Sequence, residues 1–454
     1  MPRAACLNRR LRLCRTGGPD TEFQRALLKE RNAMERTEAK YQAYLNILKE
    51  ELVPAGGCTE PIAIAYTAAT ARRTLGVMPE RMVVHASGNL IKNAMGVYIP
   101  NGGNLRGVNA AAVMGVVGGD PDRKLEVLLD MPEGVLEKAT ALLEGDFCKL
   151  HVMHDGAPLH LIVEVFSGEH SALVELKNSH THIIRIEKDG EVIFRAENEG
   201  EAQDGMTDHS CLSVAGILDF AETCALEDIQ PVLQRQIDCN MKIAEEGLKN
   251  EWGVNVGKLY NKHGKLLQAY AAAASDARMS GCTLPVVIVS GSGNQGATAS
   301  LPVVIYAREH GIDAERVFRA LALSNLLAVH IKTGIGRLSA YCGVVCAATG
   351  SGCALTYLAG GTLEQIEMTL TNSLATASGM VCDGAKPSCA AKIATCLESA
   401  IMAHNLAMEG RAFQGGEGIV KNSVEETVAA VGCVANQGMR VTDEVILDLM
   451  TEQD

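Results

Sequence analysis

The sequence predicts an α+β protein in which a large, mainly helical domain is interrupted by an inserted α+β domain with a small, mostly antiparallel sheet. Three observations carry that expectation. Apolar residues recur at helical spacing before residue 80 and after residue 206. Between residues 149 and 195 they alternate with polar ones at the period of a strand. Aromatic residues make up only 4% of a chain that is 47% hydrophobic, so Ala, Gly and Cys fill the interior and let helices approach closely.

Residues 1–33 start with Arg3, Arg9, Arg10, Arg12 and Arg15, are broken by Gly17, Gly18 and Pro19, and have no periodic apolar face. They are expected to form a disordered extension, with Met34 opening the fold. Residues 41–53 read as a helix that Pro54, Gly56 and Gly57 stop, and a second helix starts at Pro61. Short extended runs at 82–85 and 95–99 come next, then helices around 108–117 and 134–143. Strands are expected at 149–153, 160–166, 172–176, 181–186 and 192–195, separated by turn signals such as Ser167-Gly168 and Asp189-Gly190. From about Met206 the pattern is helical to the end, with glycine-rich breaks at 290–296, 334–336, 350–352, 359–361 and 415–418. The domains are therefore expected at 34–79 plus 205–454 for the helical one and 80–204 for the insert.

Bulk properties exclude several classes. A formal charge of −13 without a basic stripe argues against a nucleic-acid partner. No apolar run approaches the roughly 20 residues of a membrane span. Fifteen cysteines, an odd number, in a long chain without a secretory apolar segment fit reduced thiols in the cytoplasm better than a disulfide framework.

Cys342, Cys382 and Cys389 read as a ligand set for one soft metal centre, and three thiolates leave one corner free for a substrate. Gly384 permits a tight turn in the loop between the last two, and Pro387 opens a helix that puts Cys389 in its first turn, where the dipole favours a thiolate. The plainer alternative is a small core cysteine, the default for Cys224, Cys346, Cys353, Cys396 and Cys433. Zinc would call for a fourth ligand and C-x2-C knuckles, which the chain lacks. Cys58 lies in a glycine hinge before Thr59-Glu60-Pro61, where helix amides are expected to lower its pKa; a base, a nucleophile, a fourth ligand or a structural cysteine all fit.

Residues 291–296 match G-x-G-x-x-G after the apolar run 284–290, but Asp313 and Glu315, the acids at the fingerprint distance, open a helix instead of ending a second strand. A nest of amides with Ser290, Ser292, Asn294 and Gln295 that holds a small carboxylate is the better use, with a plain connector as the alternative. Asn89, Lys92 and Asn93, and likewise Ser275, Asp276 and Arg278, could bind the charged ends of an amino acid or simply cap and turn. His180 and His182 share one side of an expected strand, where histidines are either solvated or drawn into a site.

Six segments together, Gly57-Cys-Thr-Glu-Pro61, Asn89-Leu-Ile-Lys-Asn93, Ser275-Asp-Ala-Arg278, Ser290-Gly-Ser-Gly-Asn-Gln-Gly296, Arg337-Leu-Ser-Ala340 and Met380-Val-Cys-Asp-Gly-Ala385, resemble the bacterial and archaeal L-cysteine desulfidase family. That family is distantly related to the iron-sulfur L-serine dehydratases, and the likeness runs from about Tyr41 to the C-terminus. The resemblance implies a 4Fe–4S cluster held by Cys342, Cys382 and Cys389, with Cys346 one helical turn from Cys342 as the alternative, and Cys58 as proton acceptor. It implies breakdown of L-cysteine to pyruvate, ammonia and hydrogen sulfide without pyridoxal phosphate. Elimination from serine or another β-substituted amino acid is the runner-up. A cluster-bearing redox sensor without turnover is the competitor from another class. A small amino acid is the expected partner, and a homo-oligomer is left open.

Overall fold

The computed structural model describes residues 34–153, 157–196 and 206–451. The expected extension at 1–33 and the expected boundary at 204/205 lie outside the described residues. The described residues open with α1 (Ala39–Glu51), β1 (Pro54–Gly56) and α2 (Thr59–Leu75), followed by β2 (Arg81–Ser87), α3 (Gly88–Met95), α4 (Val108–Gly118) and α5 (Val135–Leu143). Five strands follow: β3 (Cys148–Met153), β4 (His160–Ser167), β5 (His170–Lys177), β6 (Ile183–Lys188) and β7 (Glu191–Arg195). The next helices are α6 (Val214–Thr223), α7 (Leu226–Lys249), α8 (Val256–Lys262) and α9 (Leu266–Met279). After β8 (Pro285–Val287) come α10 (Gly293–His310), α11 (Ala314–Thr333), α12 (Val344–Leu358) and α13 (Leu363–Ala377). The last elements are α14 (Cys389–Met408), α15 (Val424–Cys433) and α16 (Arg440–Thr451).

The α+β class holds. The larger sheet has the order β3-β2-β4-β5-β6-β7, with β2 and β3 parallel and every other pair antiparallel. Alternation explains its two faces: Leu161, Val163 and Val165 on β4 and Ala172, Val174 and Leu176 on β5 are buried. α2 packs on these two strands and on α4, which is why its apolar residues run all the way round. β1 and β8 form a separate antiparallel pair, with Gly56 opposite Pro285, and the Thr59 hydroxyl, donating to the Gly291 carbonyl at 2.7 Å, ties the segment after Gly57 to the glycine turn before α10. Among the described residues no helix is long and apolar enough to cross a membrane.

Two expectations are corrected. The run at 95–99 is not extended: Met95 closes α3, and Tyr98 makes only a single bridge to Arg106. Glycines 350 and 352 do not break a helix but lie within α12. A Cβ on Gly350 would stand 2.4 Å from the Ser324 carbonyl oxygen of α11, so this glycine serves close helix contact.

Candidate functional site

Cys342 and Cys382 are set side by side by backbone hydrogen bonds. The amide of Cys382 donates to the Ala340 carbonyl at 2.6 Å and that of Cys342 to the Met380 carbonyl at 3.0 Å, around a bridge between Tyr341 and Val381. The electrostatic partner of the Cys382 thiol is Cys342, whereas Cys346 is governed by its burial and by Lys332. The loop then turns at Gly384, where φ is +92° and a Cβ would stand 2.2 Å from the Lys92 carbonyl oxygen. This close approach seats the loop on α3. Cys389 opens α14 and its Sγ lies 3.7 Å from the Gly384 carbonyl oxygen.

Charge around these thiols is cationic. Lys92, 1% exposed, forms an ion pair with Asp443 of α16 and donates to the Cys382 carbonyl at 3.2 Å. Asp443 also accepts from the Ala340 amide at 2.8 Å, so α16 braces both thiol-bearing segments. Lys332, at the end of α11, is buried within electrostatic reach of Cys346, Cys382 and Cys342. Cys382 is held down to about 6 by the hydrogen bond from Cys342, which outweighs its burial, with Lys92, the Gly384 amide and Lys332 adding to it. Its partner Cys342 is pushed well above the thiol range by that same bond and by burial. Cys389 is pushed up by burial, so the dipole-favoured thiolate expected there is reversed. Among the described residues no three Cys, His, Asp or Glu side chains close around one point as ligands of a single ion would. The donor chemistry nevertheless fits a cluster, in which each thiolate meets a different iron: three sulfurs, one of them already favouring its anion, beside two buried ammonium groups.

Cys58, 2% exposed, caps the N-terminus of α2. It shares a small apolar cluster with Val97 and Met279, against which Ala385 and Cys389 pack, so the glycine hinge and the thiol loop meet. The Cys58 thiol donates to Glu60 Oε2 at 3.1 Å. Glu60 also accepts from Thr59 at 3.0 Å and from Asn93 at 3.3 Å, and its Oε1 lies 3.7 Å from His180 Nε2. Burial and the Glu60 carboxylate push Cys58 well above the thiol range, overturning the lowered pKa expected from the helix amides. Burial alone would raise Glu60, but hydrogen bonds and charge from His180 together with the Cys58 thiol bring it to about 2.

The remaining residues read from the sequence divide into two groups. Arg278 of α9 spans the site, donating to the Gly57 carbonyl at 3.0 Å and to Asn294 Oδ1 at 3.2 Å. Gln295 lies against Gly343, next to Cys342, and Ser290, with φ of +48°, faces a cavity. Asp276 instead accepts from the Gly257 amide at 2.8 Å and so holds the start of α8, and burial raises it to about 6. Ser292 is the N-cap of α10 without a side-chain cap bond. Six residues expected to bind an amino acid, Asn89, Asn93, Ser275, Asp276, Arg278 and Gln295, each carry a buried polar atom without a hydrogen-bond partner among the described residues.

Sequence reasoning gave no role to Glu60, Lys332 or Asp443. It paired His180 with His182, but the two lie in the turn before β6, and His182 faces the Lys177 carbonyl at 3.2 Å while only His180 reaches Glu60. Glu60 sits within the quoted Gly57–Pro61 segment, the one signal that pointed to it. The cavity beside Ser290 has a volume of about 280 Å³ and is also lined by Lys332, Arg337, Glu51 and His209.

Comparison with known proteins gives consistent matches. The model of the serine dehydratase alpha chain family matches residues 123–448. Over 415 residues the chain is 51% identical to a UPF0597 protein of Lachnoclostridium phytofermentans, covering 90% of this chain and 99% of that one. It is 47% identical over 428 residues to a UPF0597 protein of Treponema denticola, covering 92% and 99% respectively. A UPF0597 protein of Bacteroides fragilis is 37% identical over 429 residues, again 92% and 99%.

Proposed function

The chain belongs to the serine dehydratase alpha chain family, and from that premise we propose that it is a 4Fe–4S-dependent lyase that works without pyridoxal phosphate, eliminating sulfide from L-cysteine to give pyruvate, ammonia and hydrogen sulfide. One observation carries the reading of a small polar substrate: buried polar atoms without protein partners gather on Asn89, Asn93, Ser275, Arg278 and Gln295, around the meeting point of the hinge and the thiol loop. Unsatisfied buried groups are rare in folded proteins, and an amino acid's ammonium and carboxylate would satisfy these.

Cys342, Cys382 and Cys389 would hold the cluster. When bound, it would supply a Lewis-acid iron with one corner free of protein thiolate, suited to drawing charge from a soft sulfur leaving group. The chain's own residues do the rest. Cys58, as its thiolate, is the proton acceptor from the substrate's α carbon, and at rest its thiol donates to Glu60 Oε2 at 3.1 Å, which fixes where the sulfur sits. Thr59, Asn93 and His180 hold the Glu60 carboxylate in place beside that sulfur. Packing of Val97 and Met279 around Cys58 keeps water from the thiolate once it forms. Arg278, the turn at 290–292 and the first turn of α10 place hydrogen-bond donors for negative charge developing next to the α carbon. Aminoacrylate released from the site tautomerises and hydrolyses in water without further help.

Anaerobic reconstitution, followed by assay of pyruvate and sulfide from L-cysteine and of pyruvate from L-serine, tests the reading. Sulfide and pyruvate in equal amounts from L-cysteine support it. Higher kcat/KM for L-serine moves the substrate assignment, and turnover of neither overturns it.

A further inference from the structure

We infer that Lys332 anchors the α-carboxylate of the amino-acid substrate at the inner end of the cavity bounded by Ser290, Arg337, Glu51 and His209. The inference rests on the elimination reading above and adds a binding residue to it. Lys332 is 5% exposed, and among the described residues its Nζ makes no hydrogen bond and no ion pair. Its ammonium is left to the cavity that it lines, where it is only partly hydrated and a bound anion would complete its surroundings. The comparison with its neighbours is specific. Lys92, equally buried, has Asp443 and the Cys382 carbonyl. Arg337, on the same cavity wall, has Glu51 Oε1 at 2.9 Å. Lys332 therefore differs from both in having no acidic protein partner.

Position supports the same role. Lys332 lines the cavity on one side and lies within electrostatic reach of Cys342, Cys346 and Cys382 on the other. An amino acid held there by its carboxylate lies between the open cavity and the thiols. The cavity, about 280 Å³, is at the small end of ligand pockets and suits a molecule the size of cysteine or serine. Ser290 shares the cavity wall, its backbone held at φ of +48°, and its hydroxyl offers the carboxylate a second donor.

L-Alanine has the same ammonium and carboxylate but no leaving group, so its binding can be measured by calorimetry on the reconstituted protein without turnover. Wild type, Lys332→Met and Lys332→Arg would be compared, alongside KM for L-cysteine and for its methyl ester. The expected result is a loss of L-alanine affinity of about 30-fold in Lys332→Met, the size of a charge-assisted hydrogen bond. Lys332→Arg should recover part of it, and the preference for the free acid over the ester should disappear in Lys332→Met, with cluster absorbance as in wild type. Unchanged L-alanine affinity and KM in Lys332→Met, in a wild type that turns over L-cysteine, would overturn the anchor alone. Loss of cluster absorbance in Lys332→Met assigns the ammonium to the cluster and also overturns the anchor. A wild type inactive on both L-cysteine and L-serine removes the elimination reading itself.

Discussion

Cys382 and Cys58 stand on either side of one site, and their surroundings push the same side chain in opposite directions. Around Cys382 are a donating thiol, an amide and two buried ammonium groups, and its pKa falls to about 6. Around Cys58 are burial and the Glu60 carboxylate, and its pKa rises well above the thiol range although it caps a helix N-terminus. Helix amides alone therefore do not make a thiolate; desolvation and the nearest charge decide. The cationic side suits a sulfur that must stay bound as an anion. The acidic side suits one that holds a proton at rest and is a strong base once that proton has gone.

Substitutions on the two sides should separate cleanly, and the largest effect belongs to the cationic one. Cys382→Ala should abolish both the cluster's visible absorbance and turnover; survival of the absorbance would break the comparison. Cys58→Ser should keep the absorbance and lower kcat by about 1,000-fold, the scale of a lost proton acceptor, and loss of the cluster here would make Cys58 a ligand instead. Glu60→Gln removes the charge that orients Cys58 and raises its basicity but no proposed ligand, so kcat should fall by about 100-fold with KM little changed. Lys92→Met leaves Asp443 without its buried partner and should cost about 3 kcal/mol in denaturant unfolding. At the bottom of the scale, His182→Ala should change stability by less than about 0.5 kcal/mol and leave turnover intact. His180→Ala, which empties the space beside Glu60, should slow turnover measurably. Equal effects of the two histidine changes would remove His180 from the site.

Much of this was legible in the sequence because it is written locally. Alternation marked β4 and β5, Gly384 and Pro387 marked the thiol loop, and the Gly57–Pro61 segment marked the hinge. Glycine misled where its reason was distant: Gly350 looks like a helix break unless the carbonyl of Ser324 against it is known. The turn at His180 reads as strand because β6 follows immediately, and its partner Glu60 lies far back in the chain. Asp276 reads as a ligand for substrate, yet one of its oxygens holds an amide at the start of α8. Lys332 carries no local signature at all, since what distinguishes it is the lack of a partner that Lys92 and Arg337 have.

Asp443 lies near the end of the chain, yet it joins Lys92 to the Ala340 amide and so to both thiol-bearing segments. Lys92 and Asp443 are 351 residues apart, so a ribosome must make all of that stretch before the segments can lock together. Metallocentre assembly would wait on the synthesis of α16, and a truncation just before residue 443 would leave the thiols unbraced and open to oxidation.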